Sequence, residues 1–347
     1  MPITAGKTWC LRRLADEDGF FRMVAVDQRP GVEALVRQRQ AEYPGDSRLS
    51  GDAWDVIGRF KRLLVEELSP HASAMLLDPQ YAYPAASSAL DPRRGLLVTL
   101  EQFASEDGPG GRKTLAYPGW SVEKIKRLGA DGVKLMLWWR PDAAPDVLAH
   151  QRRLVEQVGQ ACRTHDIAFL LEPLVYPLGP TGGGDTYHED PGKRPEMVIE
   201  TVVEFRQERY GIDIFKLETP VPAAIVPDPD DGSVEAAAAQ DWFRRIDTLL
   251  DRPWVMLSAG AAAEPFRRIL TYAFRAGASG YLAGRAIWWQ AALETPDWDR
   301  FRARVQAEGV PYVEAVNVLL RQHGTPWHRR LLHATAEVLE RDFLSRY

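Results

Sequence analysis

Short apolar runs alternate with longer amphipathic segments along most of this 347-residue chain. Eight of the apolar runs are four to six residues long and rich in branched side chains, which is typical of buried strands. They cover residues 22–27, 73–77, 96–100, 132–137, 167–172, 214–218, 254–258 and 280–283. Segments with helical periodicity lie between them, among them residues 52–68, 121–128, 146–165, 195–210, 235–250 and 264–276. Strand and helix repeated eight times predict an α/β fold of the (β/α)8 TIM barrel type.

An open, doubly wound sheet is the alternative fold for this order of elements. The chain lacks a GxGxxG motif after its first predicted strand, which argues against the nucleotide-binding form of that sheet. Helical periodicity continues beyond the last strand, at residues 312–322 and 327–343. We therefore expect residues 1–347 to form one barrel domain, with residues 295–347 as C-terminal helices packed on the barrel.

Three stretches rich in Gly, Pro and acidic residues interrupt the alternation, at residues 101–120, 176–194 and 221–233. Each of them follows a predicted strand. In a TIM barrel the segments after the strands build the face that carries the active site. We expect these stretches to be long loops around such a site.

Composition and charge exclude several classes of protein. Hydrophobic residues make up 45% of the sequence and charged residues 26%, which is ordinary for a globular chain and unlike a disordered or membrane chain. A formal net charge of -5, with mixed signs along the chain, gives no basic stripe for nucleic acid. No apolar run approaches the roughly 18 residues that span a bilayer, and the N-terminus lacks a signal-peptide core. The sequence predicts a cytoplasmic protein with a small-molecule substrate and no membrane partner, and it leaves open whether the chain forms a homo-oligomer.

Metal and hydrolase chemistry lack their usual residue patterns. The seven histidines are dispersed, and none forms an HxH or HExxH pair that could hold zinc. No GxSxG motif is present. Cys10 and Cys162 are far apart in sequence, so buried or idle thiols are expected instead of a disulfide framework. We predict no metal and no cofactor.

One lysine stands inside each of two short apolar runs. Lys216 lies in the run 214–218, and Lys134 lies in the run 132–137. A lysine is almost never buried unless it is paired, so a lysine in such a strand points its amine into a polar cavity or does chemistry there. Lys216 is therefore a candidate to form an imine with a carbonyl substrate. Two such lysines suggest one shared cationic site.

Most of the predicted strands end in polar or charged residues, and the strand ends of a barrel converge on one mouth. These residues are Asp27, Gln28, Arg29, Asp78, Glu101, Lys134, Glu172, Lys216, Glu218, Ser258 and Arg285. Any one of them could equally be a solvated loop residue. Lys134, Glu172 and Lys216 together favour a functional site, because each lies within or at the end of an apolar run.

The segment after the first predicted strand carries three different polar side chains. The carboxylate of Asp27, the amide of Gln28 and the guanidinium of Arg29 can bind a polyhydroxylated ligand through several hydrogen bonds. A solvated turn is the alternative interpretation of these three residues.

The last two predicted strands end in turns of small residues, Ser258-Ala259-Gly260 and Gly284-Arg285. Small residues expose backbone N–H groups, and an arginine adds a bidentate donor, which is how barrels bind a phosphate after strands seven and eight. The alternative is a pair of tight turns with Arg285 in a salt bridge.

The motifs around these residues resemble those of the class I tagatose-1,6-bisphosphate aldolases and the related sulfofructose-phosphate aldolases, over residues 19–332. The resemblance implies a TIM barrel in which Lys216 forms the imine and Glu172 moves protons. It also implies that Ser258 and Arg285 hold a phosphate and that Asp27, Gln28 and Lys134 contact the substrate. The implied reaction is cleavage of a ketose phosphate to dihydroxyacetone phosphate and an aldehyde, with tagatose 1,6-bisphosphate as the first candidate substrate. The motifs are Ala25-Val26-Asp27-Gln28-Arg29, Leu76-Leu77-Asp78-Pro79-Gln80-Tyr81, Trp120-Ser121-Val122, Gly132-Val133-Lys134, Leu171-Glu172-Pro173, Phe215-Lys216-Leu217-Glu218, Leu257-Ser258-Ala259-Gly260 and Gly284-Arg285-Ala286.

Two departures concern the substrate. The bisphosphate aldolases tend to carry tyrosines after the fourth strand, whereas this chain has Trp138-Trp139-Arg140-Pro141-Asp142, which is similar to the Trp-Arg-x-Asp pattern of the sulfosugar branch. Conversely, Leu76-Leu77-Asp78-Pro79 and Thr325-Pro326-Trp327 resemble the tagatose branch. The second anionic end of the substrate stays open between a phosphate and a sulfonate.

The expected mechanism follows from the chemistry of imines. An imine forms only from a neutral amine, so burial and neighbouring positive charge must favour the neutral form of the lysine, and Lys134 and Arg285 are the candidate neighbours. The protonated imine draws electrons from the adjacent carbon–carbon bond, while Glu172 takes the proton of the departing hydroxyl. Two rival interpretations are a catalytically idle phosphosugar-binding barrel, which the presence of Lys216 and Glu172 argues against, and an isomerase that uses Glu172 as a base without an imine.

Overall fold

A computed structural model of the chain describes residues 3–178, 190, 192–331 and 343–346. Its strands are β1 (Phe21–Ala25), β2 (Ala74–Leu77), β3 (Gly95–Thr99), β4 (Glu101–Gly108), β5 (Gly111–Ala116), β6 (Gly132–Trp138), β7 (Ala168–Leu174), β8 (Ile214–Leu217), β9 (Trp254–Met256) and β10 (Gly280–Ala283). Its α-helices are α1 (Ala5–Leu14), α2 (Pro30–Glu42), α3 (Ala53–Leu68), α4 (Ala82–Ala86), α5 (Val122–Arg127), α6 (Pro145–Thr164), α7 (Pro195–Phe205), α8 (Val234–Leu249), α9 (Ala263–Ala276), α10 (Arg285–Ala292), α11 (Trp298–Arg304), α12 (Val310–His323), α13 (Trp327–Arg330) and α14 (Phe343–Arg346). A π-helical turn, Val305–Gly309, joins α11 to α12.

The strands other than β4 and β5 form a closed parallel barrel in the order β1-β10-β9-β8-β7-β6-β3-β2. Each predicted strand overlaps one barrel strand, and the predicted TIM-barrel fold is confirmed. The interpretation of residues 101–120 as a loop is wrong in part. β4 and β5 pair there as an antiparallel hairpin that closes between Gly108 and Gly111.

Local signals in the sequence explain where several helices begin and end. Asp52 caps α3 by accepting a hydrogen bond from the Asp55 N–H, and Ser233 caps α8 through the Ala236 N–H. Helix α9 ends at Gly277, whose φ of 118° favours glycine. The helix predicted at 195–210 ends earlier, at Phe205, and a 3₁₀ turn follows at Glu208–Tyr210. Of the helix predicted at 327–343, residues 332–342 lie outside the described part of the chain.

The barrel interior changes from apolar to polar along the strands. Alternate residues of a strand point to the same side, so Leu170 and Glu172 share a face of β7, as Ile214 and Lys216 share a face of β8. The lower interior positions are buried and apolar, namely Met23, Leu76, Leu97, Leu170, Ile214, Val255 and Leu282. The next inward positions of β6, β7 and β8 are Lys134, Glu172 and Lys216, and all three are buried. The apolar core therefore supports a layer of charged side chains at the C-terminal ends of the strands.

Further helices cover one end and the outside of the barrel. Helix α1 packs Leu11 and Leu14 into the lower core. In the C-terminal segment, Phe301 of α11 and Val313 and Leu320 of α12 belong to the same outer core as the barrel helices. Among the described helices, none combines the length and the apolar character that a membrane crossing needs. Cys10 and Cys162 are free and buried, as the sequence predicts.

Candidate active site

A pocket opens at the C-terminal ends of the barrel strands. The space within it is about 780 Å3, counted with the open solvent at its mouth. The described lining residues lie at or just beyond the strand ends and include Asp27, Gln28, Arg29, Glu101, Phe103, Lys134, Met136, Glu172, Leu174, Lys216, Leu257, Ser258, Gly284, Arg285 and Trp289. The structure thus brings together every predicted site residue except Gly260, which lies just behind Arg285: a Cβ added at Gly260 would be 3.3 Å from the Arg285 Cζ.

Glu172 bridges the two strand lysines. Its Oε1 lies 2.7 Å from the Lys216 Nζ, and its Oε2 lies 2.8 Å from the Lys134 Nζ. The parallel pairing of β6, β7 and β8 produces this arrangement, because Met136 is opposite Glu172 and Leu171 is opposite Phe215. Lys216 is 4% exposed and Glu172 is 7% exposed, so both side chains are largely shielded from water.

Lys134 is the most strongly held cation of the pocket. In addition to Glu172, its Nζ contacts Asp27 Oδ2 at 3.0 Å and Glu101 Oε1 at 2.9 Å. Burial alone would lower the pKa of Lys134, but the three carboxylates outweigh burial and raise its pKa above the ordinary value. Lys134 therefore remains an ammonium ion at neutral pH.

The carboxylates around Lys134 are in different electrostatic situations. Burial raises the pKa of Asp27, but the charges of Lys134 and Lys216 outweigh it and bring the pKa down to about 2. Burial dominates at Glu101, whose pKa is raised despite the nearby Lys134 and Arg29. The Glu101 Oε2 accepts a hydrogen bond from the Met136 N–H at 3.0 Å. Asp27 is thus the firmly ionised partner of the cluster.

The turns after β9 and β10 form the other side of the pocket. The Ser258 carbonyl accepts a hydrogen bond from the Ala261 N–H at 2.7 Å, and Ala259 and Gly260 have positive φ values of 48° and 78°. Gly284 packs so closely on β1 that a Cβ there would be 2.5 Å from the Ala25 carbonyl oxygen. Arg285 begins α10 directly after Gly284. The geometry brings Ser258, Gly284 and Arg285 into the pocket lining, with Gly260 behind Arg285.

Aromatic side chains lie in and behind the pocket wall. Trp138 makes edge contacts with Phe103 of the hairpin and with Tyr176, at centroid distances of 5.7 and 5.9 Å. Of the two tryptophan pairs in the sequence, Trp289 lines the pocket, whereas Trp288 is fully buried and donates from Nε1 to the Ala25 carbonyl oxygen at 3.0 Å. Phe103 shows that the hairpin closes one side of the site.

Two of the charged side chains at the strand ends, Asp78 and Glu218, do not line the pocket. Asp78 is fully buried in an ion pair with Lys61 of α3, whose Nζ also donates to the Val26 carbonyl oxygen at 3.0 Å. Glu218 accepts a hydrogen bond from the Val175 N–H at 2.7 Å and contacts the Lys193 Nζ at 3.0 Å. The expectation that these two residues converge on the mouth is wrong, because each finds a buried partner outside it.

Sequence reasoning also missed contributions to the site. It named Glu101 only as a strand-end charge, and it did not identify Phe103 as part of the pocket wall. The single glutamate directly after an apolar run was the available signal for Glu101, whereas nothing local indicates that Phe103 faces the pocket. Within the described ranges, no three His, Cys, Asp or Glu side chains are grouped as a metal site.

Comparison with known proteins gives the class of this chain. Residues 21–290 match the model of the DeoC/LacD family aldolase. Tagatose 1,6-diphosphate aldolase 2 of Streptococcus agalactiae is 33% identical over 340 residues, covering 95% of this chain and all of the relative. Tagatose 1,6-diphosphate aldolase of Lactococcus lactis is 32% identical, covering 94% of this chain and 99% of the relative.

Solved structures with low identity share the fold. A fructose-bisphosphate aldolase from Plasmodium falciparum superposes with a TM-score of 0.62 at 12% identity, covering 92% of this chain and 95% of that chain. An archaeal fructose-1,6-bisphosphate aldolase, whose catalytic lysine is covalently bound to a carbinolamine intermediate, has a TM-score of 0.53 at 16% identity, covering 90% and 99% of the two chains.

These matches define the class of the chain as an aldolase, a carbon–carbon lyase. The chain belongs to the DeoC/LacD family of aldolases.

Proposed function

We propose that this chain is a class I aldolase that cleaves tagatose 1,6-bisphosphate to dihydroxyacetone phosphate and glyceraldehyde 3-phosphate through an imine on Lys216. The proposal rests on one observation above all: the Lys216 Nζ lies in the pocket at 2.7 Å from a carboxylate, Glu172. The names and near-complete coverage of the tagatose 1,6-diphosphate aldolase relatives support the choice of substrate.

The surroundings of the two lysines favour Lys216 as the nucleophile. Lys134 is held as a cation by three carboxylates, which makes its amine a poor nucleophile. Among the described residues, Lys216 forms an ion pair with Glu172 alone. Glu172 can take a proton from Lys216 while the adjacent Lys134 stays charged. Lys134 then acts as a fixed positive charge and not as the covalent residue.

The reaction follows from this geometry. The neutral Lys216 amine adds to the C2 carbonyl of the ketose. The proton that Glu172 has taken from Lys216 then passes to the C2 hydroxyl, which leaves as water, so that the protonated imine forms and Glu172 becomes a carboxylate again. The C3–C4 bond breaks with its electron pair passing to the imine, which becomes an enamine. The proton of the C4 hydroxyl goes to Glu172, and the aldehyde leaves. Protonation of the enamine at C3 and hydrolysis of the imine release dihydroxyacetone phosphate and regenerate Lys216.

The two turns after β9 and β10 are suited to the phosphate on C1. Ser258 and Arg285 line the pocket beside the β8 strand that carries Lys216. Gly260 leaves room for the Arg285 guanidinium, and Gly284 leaves room for the Ala25 carbonyl oxygen and the Gln28 amide. An arginine donates two parallel hydrogen bonds to a phosphate. Gln28 packs against Gly284, and its buried Oε1 has no hydrogen-bond partner in the described part of the chain, so it can accept from a sugar hydroxyl.

The sulfosugar alternative draws on the Trp139-Arg140-x-Asp142 pattern, and the structure offers it little support. The Arg140 guanidinium contacts Asp142 at 2.9 Å and Asp190 at 2.7 Å, and it donates to the Tyr176 carbonyl oxygen. Arg140 is not among the described residues that line the pocket. Direct comparison of tagatose 1,6-bisphosphate with 6-deoxy-6-sulfofructose 1-phosphate as substrates separates the two activities.

Borohydride trapping tests the proposed function. The wild-type protein is incubated with dihydroxyacetone phosphate and reduced, and the modified peptide is identified by mass spectrometry. We expect a stable adduct on Lys216 and none on Lys134. The Lys216→Met variant should lose both the adduct and turnover, whereas an adduct on another lysine, or full turnover without any adduct, rejects the mechanism.

A further inference from the structure

The pocket lining contains four cationic side chains among the described residues, and three of them already have a task. Lys216 carries the proposed imine, Lys134 is surrounded by three carboxylates, and Arg285 stands at the turns suited to the C1 phosphate. The fourth cation is Arg29. A ligand with a second anionic group therefore has one cation left to bind it among the described lining residues.

Arg29 is held in place with much of its donor capacity unused. It is 4% exposed, its Cζ lies 5.1 Å from the Tyr117 ring centroid, and its Nη2 lies 3.8 Å from the Glu101 Oε1. Its Nε and Nη1 are buried and have no hydrogen-bond partner among the described residues. Buried N–H groups are nearly always paired, so unpaired ones in a pocket point to a ligand. The Tyr117 ring and Glu101 fix the guanidinium without occupying these two nitrogens.

The position of Arg29 suits the far end of a substrate. In the closed strand order, the side of the barrel with β2 and β3 lies opposite β8 and β9. Arg29 follows β1 and reaches Glu101, directly after β3, whereas Lys216 is on β8 and Ser258 follows β9. A ketose with its C1 phosphate at Ser258 and Arg285 and its C2 at Lys216 would extend across the mouth toward Arg29.

We propose that Arg29 binds the anionic group on the aldehyde half of the substrate, and that this contact makes the enzyme selective for ketoses with an anion at both ends. The inference rests on the proposed function and names a specificity residue for it. Arginine suits the task because its planar donors match the oxygens of a phosphate or sulfonate. Glu101 does not block the contact, since its oxygens are engaged by the Lys134 Nζ and the Met136 N–H.

Steady-state kinetics on a matched pair of substrates test the inference. Tagatose 1,6-bisphosphate and tagatose 1-phosphate differ only in the group assigned to Arg29. For Arg29→Gln we expect the KM of the bisphosphate to rise roughly 10- to 100-fold, the worth of a charge-assisted hydrogen bond, and the KM of the monophosphate to rise far less. Arg285→Gln is the matched control and should raise the KM of both substrates together. Arg29→Lys keeps the positive charge but loses the paired guanidinium donors, so its KM for the bisphosphate should fall between those of the wild type and Arg29→Gln.

The outcomes separate the inference from the proposed function. If Arg29→Gln raises the KM of both substrates by the same factor, Arg29 is not the anchor of the second anion. If the wild type traps no dihydroxyacetone phosphate, the proposed function fails first. Trapping of dihydroxyacetone phosphate by Arg29→Gln checks that this variant is folded. If it is not folded, the same kinetic comparison is made with Arg29→Lys. A third substrate, 6-deoxy-6-sulfofructose 1-phosphate, shows whether the anion is a phosphate or a sulfonate, and Arg29→Gln should weaken binding of either.

Discussion

Among single residues, Glu172 occupies the most consequential position, because it contacts one lysine on each side. Its neighbour Lys134 has two further carboxylate partners, whereas Lys216 has none among the described residues. Proton transfer between Glu172 and Lys216 can therefore occur while the charge of Lys134 is conserved. This asymmetry assigns different tasks to two lysines that look equivalent in sequence.

Replacement of Glu172 by glutamine tests that division of tasks. The variant keeps the size of the side chain but cannot accept a proton, so we expect turnover to fall by about 10²- to 10⁴-fold. Imine formation should persist largely, because Lys216 stays in place beside the pocket. The two readouts are kcat on tagatose 1,6-bisphosphate and the yield of the borohydride adduct with dihydroxyacetone phosphate.

Glu218→Gln is the matched control for Glu172→Gln. It changes a buried glutamate two residues from Lys216 that contacts Lys193 outside the pocket, so it should lower kcat far less. Parallel losses of adduct and turnover in Glu172→Gln would mean that Glu172 only supports the structure of the site.

The sequence was sufficient to place the two lysines and Glu172 in one pocket, because a charged residue in an apolar strand is unusual enough to stand out. It was not sufficient to predict which residues pair with them. Asp78 and Glu101 both follow apolar runs, yet Asp78 pairs with Lys61 of a helix and Glu101 joins the pocket. Which of two similar charges faces the site depends on the packing of distant helices, and no local pattern records that packing.

Among the elements, the turn after β9 couples backbone shape to the position of Arg285. Gly260 has a φ of 78°, and a Cβ on it would lie 3.3 Å from the Arg285 Cζ. A larger residue therefore strains the turn and pushes the guanidinium away at the same time.

We expect Gly260→Ala to raise the KM for tagatose 1,6-bisphosphate by roughly tenfold, through loss of about 1 to 2 kcal/mol of phosphate binding. Gly232→Ala is the control for backbone strain, because Gly232 has a similar φ of 70° and open space around it. A comparable rise of KM in Gly232→Ala, or no rise in Gly260→Ala, would show that this turn does not position Arg285.

Elements were predicted well where a long periodic pattern existed and poorly where it did not. Helices α3, α6, α8 and α9 lie within a few residues of their predicted bounds, since their apolar stripes extend over several turns. The hairpin β4–β5 contains polar residues on both faces along much of its length, so its alternation of apolar and polar residues is too weak to predict strands. Helix α1 is short, and its Thr4 N-cap is the only clear signal for it.

For the molecule as a whole, the two ends of the barrel have different tasks. The polar layer with Lys216 lies at the C-terminal end, and α1 closes the other end. In TIM barrels the first end carries chemistry and the second carries stability. The buried ion pair of Lys7 and Asp213 belongs to the second end: the Lys7 Nζ lies 2.7 Å from the Asp213 Oδ2, which also accepts from the Phe169 N–H at 2.8 Å.

Lys7→Met should therefore lower stability without disabling the active site. Removal of the lysine leaves the buried Asp213 carboxylate without its cation, which typically costs about 3 to 5 kcal/mol. Urea unfolding measures that loss, while kcat and the KM at a temperature where the variant is folded should stay close to those of the wild type. Arg244→Met is the control, because its pair with Asp241 is exposed and such pairs contribute about 0 to 1 kcal/mol. If Lys7→Met unfolds like the control, or if it loses activity while remaining as stable as the wild type, the division of the barrel into a stabilising end and a catalytic end is wrong for this chain.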